Sequence, residues 1–247
     1  MKAVVLAGGQ GNRLRPYTFT VPKPLLPLGD RPLLNYIIDQ LARCAITDII
    51  LALGYQAELI RAYCGDGSRF GVRIQYVLEE QPLGTAGPLA LCRPLLDPGE
   101  DFLLMNGDIV TKLDFGQLAR FHAQQAAQLT IGYVHHTYQS PFGVLQLDGD
   151  DVTGIVEKPS IRQPVSAGIY CISPGAAQLV QPGTVMTMPE LADRVRAGGG
   201  RVAAYEIREF WRALETRDHF EAVLKEEEIL PLLEAPRPSR PAGPGSA

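Results

Sequence analysis

Early in the chain, straight after one short apolar run, come Gly8, Gly9 and Gly11, then Arg13, then Lys23 held between Pro22 and Pro24. Glycines let a backbone approach an anion closely and aim its amide N–H groups at phosphate oxygens. Arg13 and Lys23 supply the positive charge, and the flanking prolines restrict where the lysine reaches. The chemistry is that of a phosphate cradle. Two common cradles do not fit: a dinucleotide fold needs G-x-G-x-x-G, but Leu14 stands where the third glycine belongs, and the Gly-Lys-Ser/Thr of a P-loop is absent. A glycine turn with incidental charges would explain G-G-x-G alone. It does not explain the run through Arg13, Pro16, Thr18 and Pro22-Lys23-Pro24.

In open α/β sheets, ligands gather at the carboxyl ends of strands. The loop begins where KAVVLA, read as a buried strand, ends. Leu33, Leu34, Ile37, Ile38 and Leu41 then recur at helical spacing. DIILAL reads as a strand, AELIRAYC as a helix, VRIQYVL as a third strand, and DFLLMNG as a fourth ending on Asn106-Gly107-Asp108. This alternation predicts an α/β fold, an open and mostly parallel Rossmann-like sheet with helices on both faces.

The second half has shorter strands, LTIGYVHH, FGVLQLD, DVTGIVE and VSAGIYCI, which predict a small antiparallel insertion, a meander packed on the far side of the sheet. Two helices, at 188–196 and 216–229, are expected around a last strand pair, RVAAYEI and EFWRAL. The domain is expected to span 1–233, with 234–247, rich in Pro, Gly and Ala, a disordered tail.

At 247 residues, 46% hydrophobic and 20% charged, the chain has the composition of one compact domain. Its net charge of −4 leaves no basic excess for a nucleic-acid partner, so any bound phosphate should belong to a small molecule. Cys44, Cys64, Cys92 and Cys171 are widely spaced and read as reduced thiols. No apolar run approaches a membrane span and no leader precedes the first strand, which predicts a cytoplasmic protein. Adjacent His135 and His136 on a strand should point to opposite faces, His122 should face solvent from its helix, and Trp211 should pack in the core.

The opening motif resembles the signature of the sugar-phosphate nucleotidyltransferases, the pyrophosphorylases that make NDP-sugars. Further motifs follow in that family's order: EEQPLGTAGPLAL from Glu79, NGD at 106–108, PFGV at 141–144, EKP at 157–159 and SAGIY at 166–170, so the resemblance runs to about residue 228. It implies a GT-A-like nucleotidyltransferase fold and attack by a sugar 1-phosphate on the α-phosphorus of an NTP, with pyrophosphate leaving. Leu6, Ala7, Gly8, Gly9, Gly11 and Arg13 would then hold the nucleotide, with Gln81, Gly84 and Thr85 near the base. Arg13, Lys23 and Asp108 would be catalytic, and Asp108 would hold Mg²⁺. Gly143, Glu157, Lys158 and Ser166 would face the sugar phosphate.

The C-terminal motif departs from the family. Trp-x-Asp-x-Gly is usual, the Asp being a second metal ligand, whereas FWRALETRDHF places Ala213 and Glu215 at the Asp and Gly positions. Ser166 replaces the usual Asn. Two function classes follow: an active enzyme in which Asp108 alone, or Asp108 helped by Glu215, holds the metal, and a catalytically impaired paralogue that binds a nucleotide or sugar nucleotide as a regulatory subunit. PLGTAGPLAL looks most like members that make GDP-mannose, which points to a mannose-1-phosphate guanylyltransferase-like activity, with uridylyl and thymidylyl transfer as alternatives within the family. A homodimer is the assembly expected.

Overall fold

The computed structural model describes residues 1–226. The strands are β1 (Ala3–Ala7), β2 (Pro27–Leu28), β3 (Arg31–Pro32), β4 (Asp48–Leu53), β5 (Arg73–Leu78), β6 (Phe102–Asn106) and β7 (Ile109–Thr111), then β8 (Leu129–Gln139), β9 (Val144–Asp148), β10 (Asp151–Val156), β11 (Ser160–Ile172), β12 (Val202–Glu206) and β13 (Trp211–Ala213). Between them lie α1 (Leu33–Arg43), α2 (Ala57–Cys64), α3 (Leu89–Cys92), α4 (Phe115–Gln124), α5 (Pro174–Gln178), α6 (Met188–Ala197) and α7 (Arg217–Val223).

Seven strands form the main sheet in the order β12-β8-β11-β6-β1-β4-β5. β1 runs parallel to both β4 and β6, β5 is parallel to β4, and β12 is parallel to β8. Only β11 runs against its neighbours. Because successive side chains of a strand point to opposite faces, β1 feeds two cores. Ala3, Val5 and Ala7 pack with α1, α2 and α4, whereas Val4 packs with α3, α5 and α6. Strands covered on both faces read as unbroken apolar runs, which is why KAVVLA and DIILAL show no alternation. α1 buries the spaced set Leu33, Leu34, Ile37, Ile38 and Leu41. Among the described residues, no helix is long and apolar enough to cross a membrane.

The second half is built differently from the expected meander. β8 and β11 are main-sheet strands, 11 and 13 residues long. Their buried ends, 129–132 and 167–172, sit inside the sheet, while Val134 to Gln139 pair with Ser160 to Val165 as a ribbon that runs past its edge. A register shift between Ser166 and Tyr170, with Gly168 at φ +67°, marks where the strand bends. Only β9 and β10 form a separate hairpin. The expected terminal strand pair is also absent: β12 joins β8, and β13 pairs with β7.

α7 begins at its Thr216 cap and ends at Val223; the expected continuation to Ile229, the domain limit at 233 and the tail at 234–247 lie outside the described residues. Trp211 is half-buried against the first core and donates its indole N–H to the Ala167 carbonyl at 2.9 Å.

His122 corrects a second expectation, because it is buried. Phe115, Leu118 and His122 share one face of α4, at spacings of three and four residues, and that face is turned to the sheet. The imidazole Nδ1 lies 2.7 Å from the Thr130 hydroxyl, and Nε2 lies 3.6 Å from the Asp101 carboxylate. Burial lowers the His122 pKa below its ordinary 6.5, with Asp101 pulling the other way. The unfolded chain therefore takes up the proton first as pH falls through 6.5, and stability declines with it. We predict that the melting temperature of the wild type falls more steeply from pH 7 to pH 5 than that of His122→Gln; parallel curves would contradict this.

Candidate active site

The carboxyl ends of β1, β4, β5 and β6 lie side by side, and the loops leaving them surround a cavity of about 760 Å³. After Ala7 the chain turns so tightly that a Cβ on Gly8 would stand 2.7 Å from the Glu79 carboxylate, and one on Gly54 would stand 2.9 Å from the Gly8 carbonyl. A Cβ on Gly9 would meet only open space. Gly11 adopts φ +61°, a left-handed conformation that favours glycine, and starts a short 3₁₀ turn. The Thr18 hydroxyl donates to the Gly11 carbonyl at 2.9 Å and folds the loop back on itself. A third 3₁₀ turn, Lys23–Leu25, comes after the one at Tyr17–Phe19, follows Pro22 and brings Lys23 beside Gly11.

From the other side, the Asn106-Gly107-Asp108 turn crosses the end of β1, and the Gly107 N–H donates to the Leu6 carbonyl at 2.8 Å. It carries Asp108 to Lys23. The ammonium Nζ is 2.5 Å from Asp108 Oδ2, and both side chains are largely buried, at 14% and 22% exposure. The Leu214 N–H donates to the Asp108 carbonyl, so β13 backs the same turn.

Most of the expected nucleotide set meets here. Leu6, Ala7, Gly8, Gly9 and Gly11 line the cavity from one loop, and Lys23 and Asp108 line its wall. Gln81, Gly84 and Thr85 complete it from the segment after β5. That segment is held from afar: the Met186 N–H donates to the Leu83 carbonyl at 2.9 Å, and the Met188 N–H donates to the Thr85 hydroxyl, also at 2.9 Å. Thr85 thus anchors the start of α6.

The remaining expected residues lie outside this cavity. Arg13 is exposed and its guanidinium pairs with the Glu215 carboxylate. Gly143, Glu157 and Lys158 are exposed around the β9–β10 hairpin, Glu157 close over Gly143. The Ser166 hydroxyl is 3.0 Å from that of Tyr170, within the bend that brings Gly168 against Asn106. Ala213 pairs with Ile109, the residue after Asp108. Both Ala213 and Glu215 line a second cavity of about 1160 Å³. His135 and His136 border it with different partners: His135 Nδ1 is 3.2 Å from Glu206, and His136 packs edge-on against Tyr138.

Several cavity residues were not anticipated, among them Gly54, Tyr55 and the titratable Glu79. Glu79 is half-buried, its carboxyl pushed up by burial and lowered again by the Leu83 N–H, which donates to it at 3.3 Å. Its signal was its place as the first residue after β5, ahead of the exposed Glu80 and Gln81. Taken together, the glycine loop and Lys23 can bind a phosphorylated ligand and offset its charge, with the Asp108 carboxylate placed to meet a cation that accompanies it.

The profile of the family described as Nucleotidyl transferase matches residues 2–196. The chain belongs to this nucleotidyl transferase family. It is 36% identical over 217 residues to the mannose-1-phosphate guanylyltransferase catalytic subunit beta of Danio rerio, across 85% of this chain and 60% of that one. It is 37% identical over 188 residues to the mannose-1-phosphate guanyltransferase of Candida albicans, across 73% of this chain and 52% of that one. The chain therefore matches less than two thirds of the length of these nucleotidyl transferases. Among solved structures, HddC from Yersinia pseudotuberculosis has the same fold, with a TM-score of 0.71 at 24% identity over 90% of this chain and 97% of that one.

In this nucleotidyl transferase, Glu215 occupies the guanidinium that would otherwise be open to an anion. An exposed pair of this kind contributes little to stability and is readily exchanged. Replacing Glu215 by Ala is predicted to tighten binding of inorganic triphosphate several-fold at low salt, by calorimetric titration, with the gain shrinking as salt screens the charge. Equal affinity in the two proteins at low salt would show that Arg13 does not reach the ligand.

Proposed function

We propose that the chain transfers a nucleotidyl group from GTP to mannose 1-phosphate, yielding GDP-mannose and pyrophosphate. The observation that carries this reading is the Lys23–Asp108 pair on the wall of the glycine-loop cavity, in a chain whose relatives are named for that reaction. An oxygen of the sugar phosphate attacks the α-phosphorus. The new P–O bond forms as the bond to the oxygen bridging the α- and β-phosphorus breaks, and that oxygen leaves with pyrophosphate.

Both reactants are anions, so alignment and neutralisation dominate the catalysis. The backbone of Gly8, Gly9 and Gly11 lies along the nucleotide. Lys23 leaves Asp108 to neutralise charge at the α-phosphate and the attacking oxygen. Arg13 leaves Glu215 for the β- and γ-phosphates, and Glu157 and Lys158 meet the sugar phosphate. No side chain is needed as a covalent nucleophile.

Mg²⁺ is commonly held by one or two carboxylates, with substrate phosphates and water completing its shell. Asp108, a single partly exposed carboxylate beside the cavity, fits that pattern, whereas Glu215 is engaged with Arg13. Bound there, the ion would offset negative charge on the phosphates. A second reading, a paralogue that binds nucleotide without turning it over, rests on Ala213, a methyl beside the Asp108 turn where the family pattern carries a carboxylate.

The test is pyrophosphate release with Mg²⁺ across GTP, ATP, UTP and dTTP, each with several sugar 1-phosphates. The proposal predicts release with GTP and mannose 1-phosphate, reduced roughly 100-fold or more in Lys23→Ala, as expected when a charge-stabilising donor is removed. Silence throughout in the wild type, with nucleotide binding retained and release appearing in Ala213→Asp, would establish the second reading instead.

A further inference from the structure

The hairpin of β9 and β10 contributes no residue to either core. Directly opposed residues of an antiparallel pair share a face, and every second residue of a strand returns to it. Leu147 opposes Val152 and Leu145 opposes Ile155, so these four side chains lie together on one face, with no charged residue among them. Thr153, the extra residue of a bulge, is what brings Ile155 back to the side of Val152. Each of the four is between 50% and 65% exposed. The opposite face carries Val144, Gln146, Gly154 and Val156, with Asp148 and Asp151 at its end.

A two-stranded hairpin by itself is marginal in water and gains stability by packing on something else. An exposed face of adjoining apolar side chains marks a contact surface. The charges around it say what kind. Asp148, Asp150 and Asp151 crowd the tip of the hairpin. At its base, where the ribbon ends at Gln139 and Ser160, Glu157 and Lys158 offset each other and Arg162 adds a positive charge. Among the described residues, none of these charged side chains forms an ion pair. An anionic membrane surface would be repelled by the tip. A partner that suits the face is apolar in the middle, basic at one end and acidic at the other, which is the hairpin's own description read backwards.

We propose that this face binds the same face of a second copy of the chain, the two hairpins stacked in opposite directions about a two-fold axis. Each apolar face then covers the other at the spacing of packed sheets, about 10 Å. The opposed direction sets the acidic tip of each copy at the Arg162 end of its partner. Stacked in the same direction, the aspartates of both tips would crowd together, and like charges in proximity repel. A stable interface takes about 800 Å² from each partner. The four-residue face supplies only part of that, so the exposed Tyr138, Phe142 and Ile161 at the hairpin base extend it, and the dimer dissociates on dilution.

The test is sedimentation velocity of the full chain at low salt, over a roughly 100-fold range of micromolar concentration. The wild type should pass from monomer to dimer within it. Leu147→Asp sets a carboxylate from each copy into the apolar contact and should weaken the dimer at least about 100-fold. Its circular dichroism and melting should be unchanged, because Leu147 is exposed and outside both cores. A charge exchange tests the direction of stacking. Arg162→Glu, and separately the double variant Asp150→Lys with Asp151→Lys, should each dimerise less than the wild type. A mixture of the two proteins should regain dimer, since each tip then meets a base of opposite charge. A wild type that stays monomeric would overturn the proposal, as would a dimer unmoved by Leu147→Asp. Monomers that instead bind phosphatidylcholine vesicles, and lose that binding in Leu147→Asp, would overturn it in favour of a lipid surface. A mixture that dimerises no better than either parent would overturn the opposed stacking.

Discussion

The contact between Lys23 and Asp108 ties together two segments 85 residues apart in sequence, and the site depends on it. It forms because β1 and β6 are parallel neighbours, so their carboxyl ends coincide and the loops leaving them converge. The lysine arrives through the fold of the glycine loop and the Pro22–Pro24 turn. The aspartate arrives through a turn whose Gly107 N–H is bonded to β1 itself. The sheet thus supplies proximity, and the two loops supply opposite charges in a setting partly withdrawn from water, where such charges act more strongly than on an open surface.

Two cations of the opening motif each have an internal carboxylate partner: Lys23 has Asp108 and Arg13 has Glu215. The pairs are unequal. The first is largely buried beside the cavity and the second is exposed, so the second is the weaker and more salt-sensitive. On the proposed function, an arriving triphosphate takes over from both carboxylates, and the carboxylate released at Asp108 becomes available to a cation that travels with the phosphates. Among the described residues, Glu79 has no cation partner in an ion pair and stands apart from this exchange.

The first half of the fold was legible because strands buried on both faces form continuous apolar runs, and helices such as α1 carry an unmistakable spacing. The second half was not, because β8 and β11 are buried at one end and exposed at the other, and no local pattern says which neighbour a strand meets along its length. His122 was misread for a related reason: a polar residue on the apolar face of α4 is decided by what packs on that face, here Thr130. At the site, the glycine loop, Lys23 and Asp108 could be named from residue type and order. The inward setting of Glu79 could not be read from sequence, since the segment that carries it is pinned by residues 186–188, about a hundred positions away. The partner of Arg13, 202 residues downstream, was equally invisible.

The most direct measurement is a crystal structure of the full chain with a non-hydrolysable GTP analogue and Mg²⁺. The account predicts that Lys23 Nζ has left Asp108 and lies within about 3 Å of a phosphate oxygen, the distance of a charged hydrogen bond, with the phosphates at the Gly11 end of the loop. A nucleotide bound elsewhere, with the Lys23–Asp108 pair intact, would contradict it.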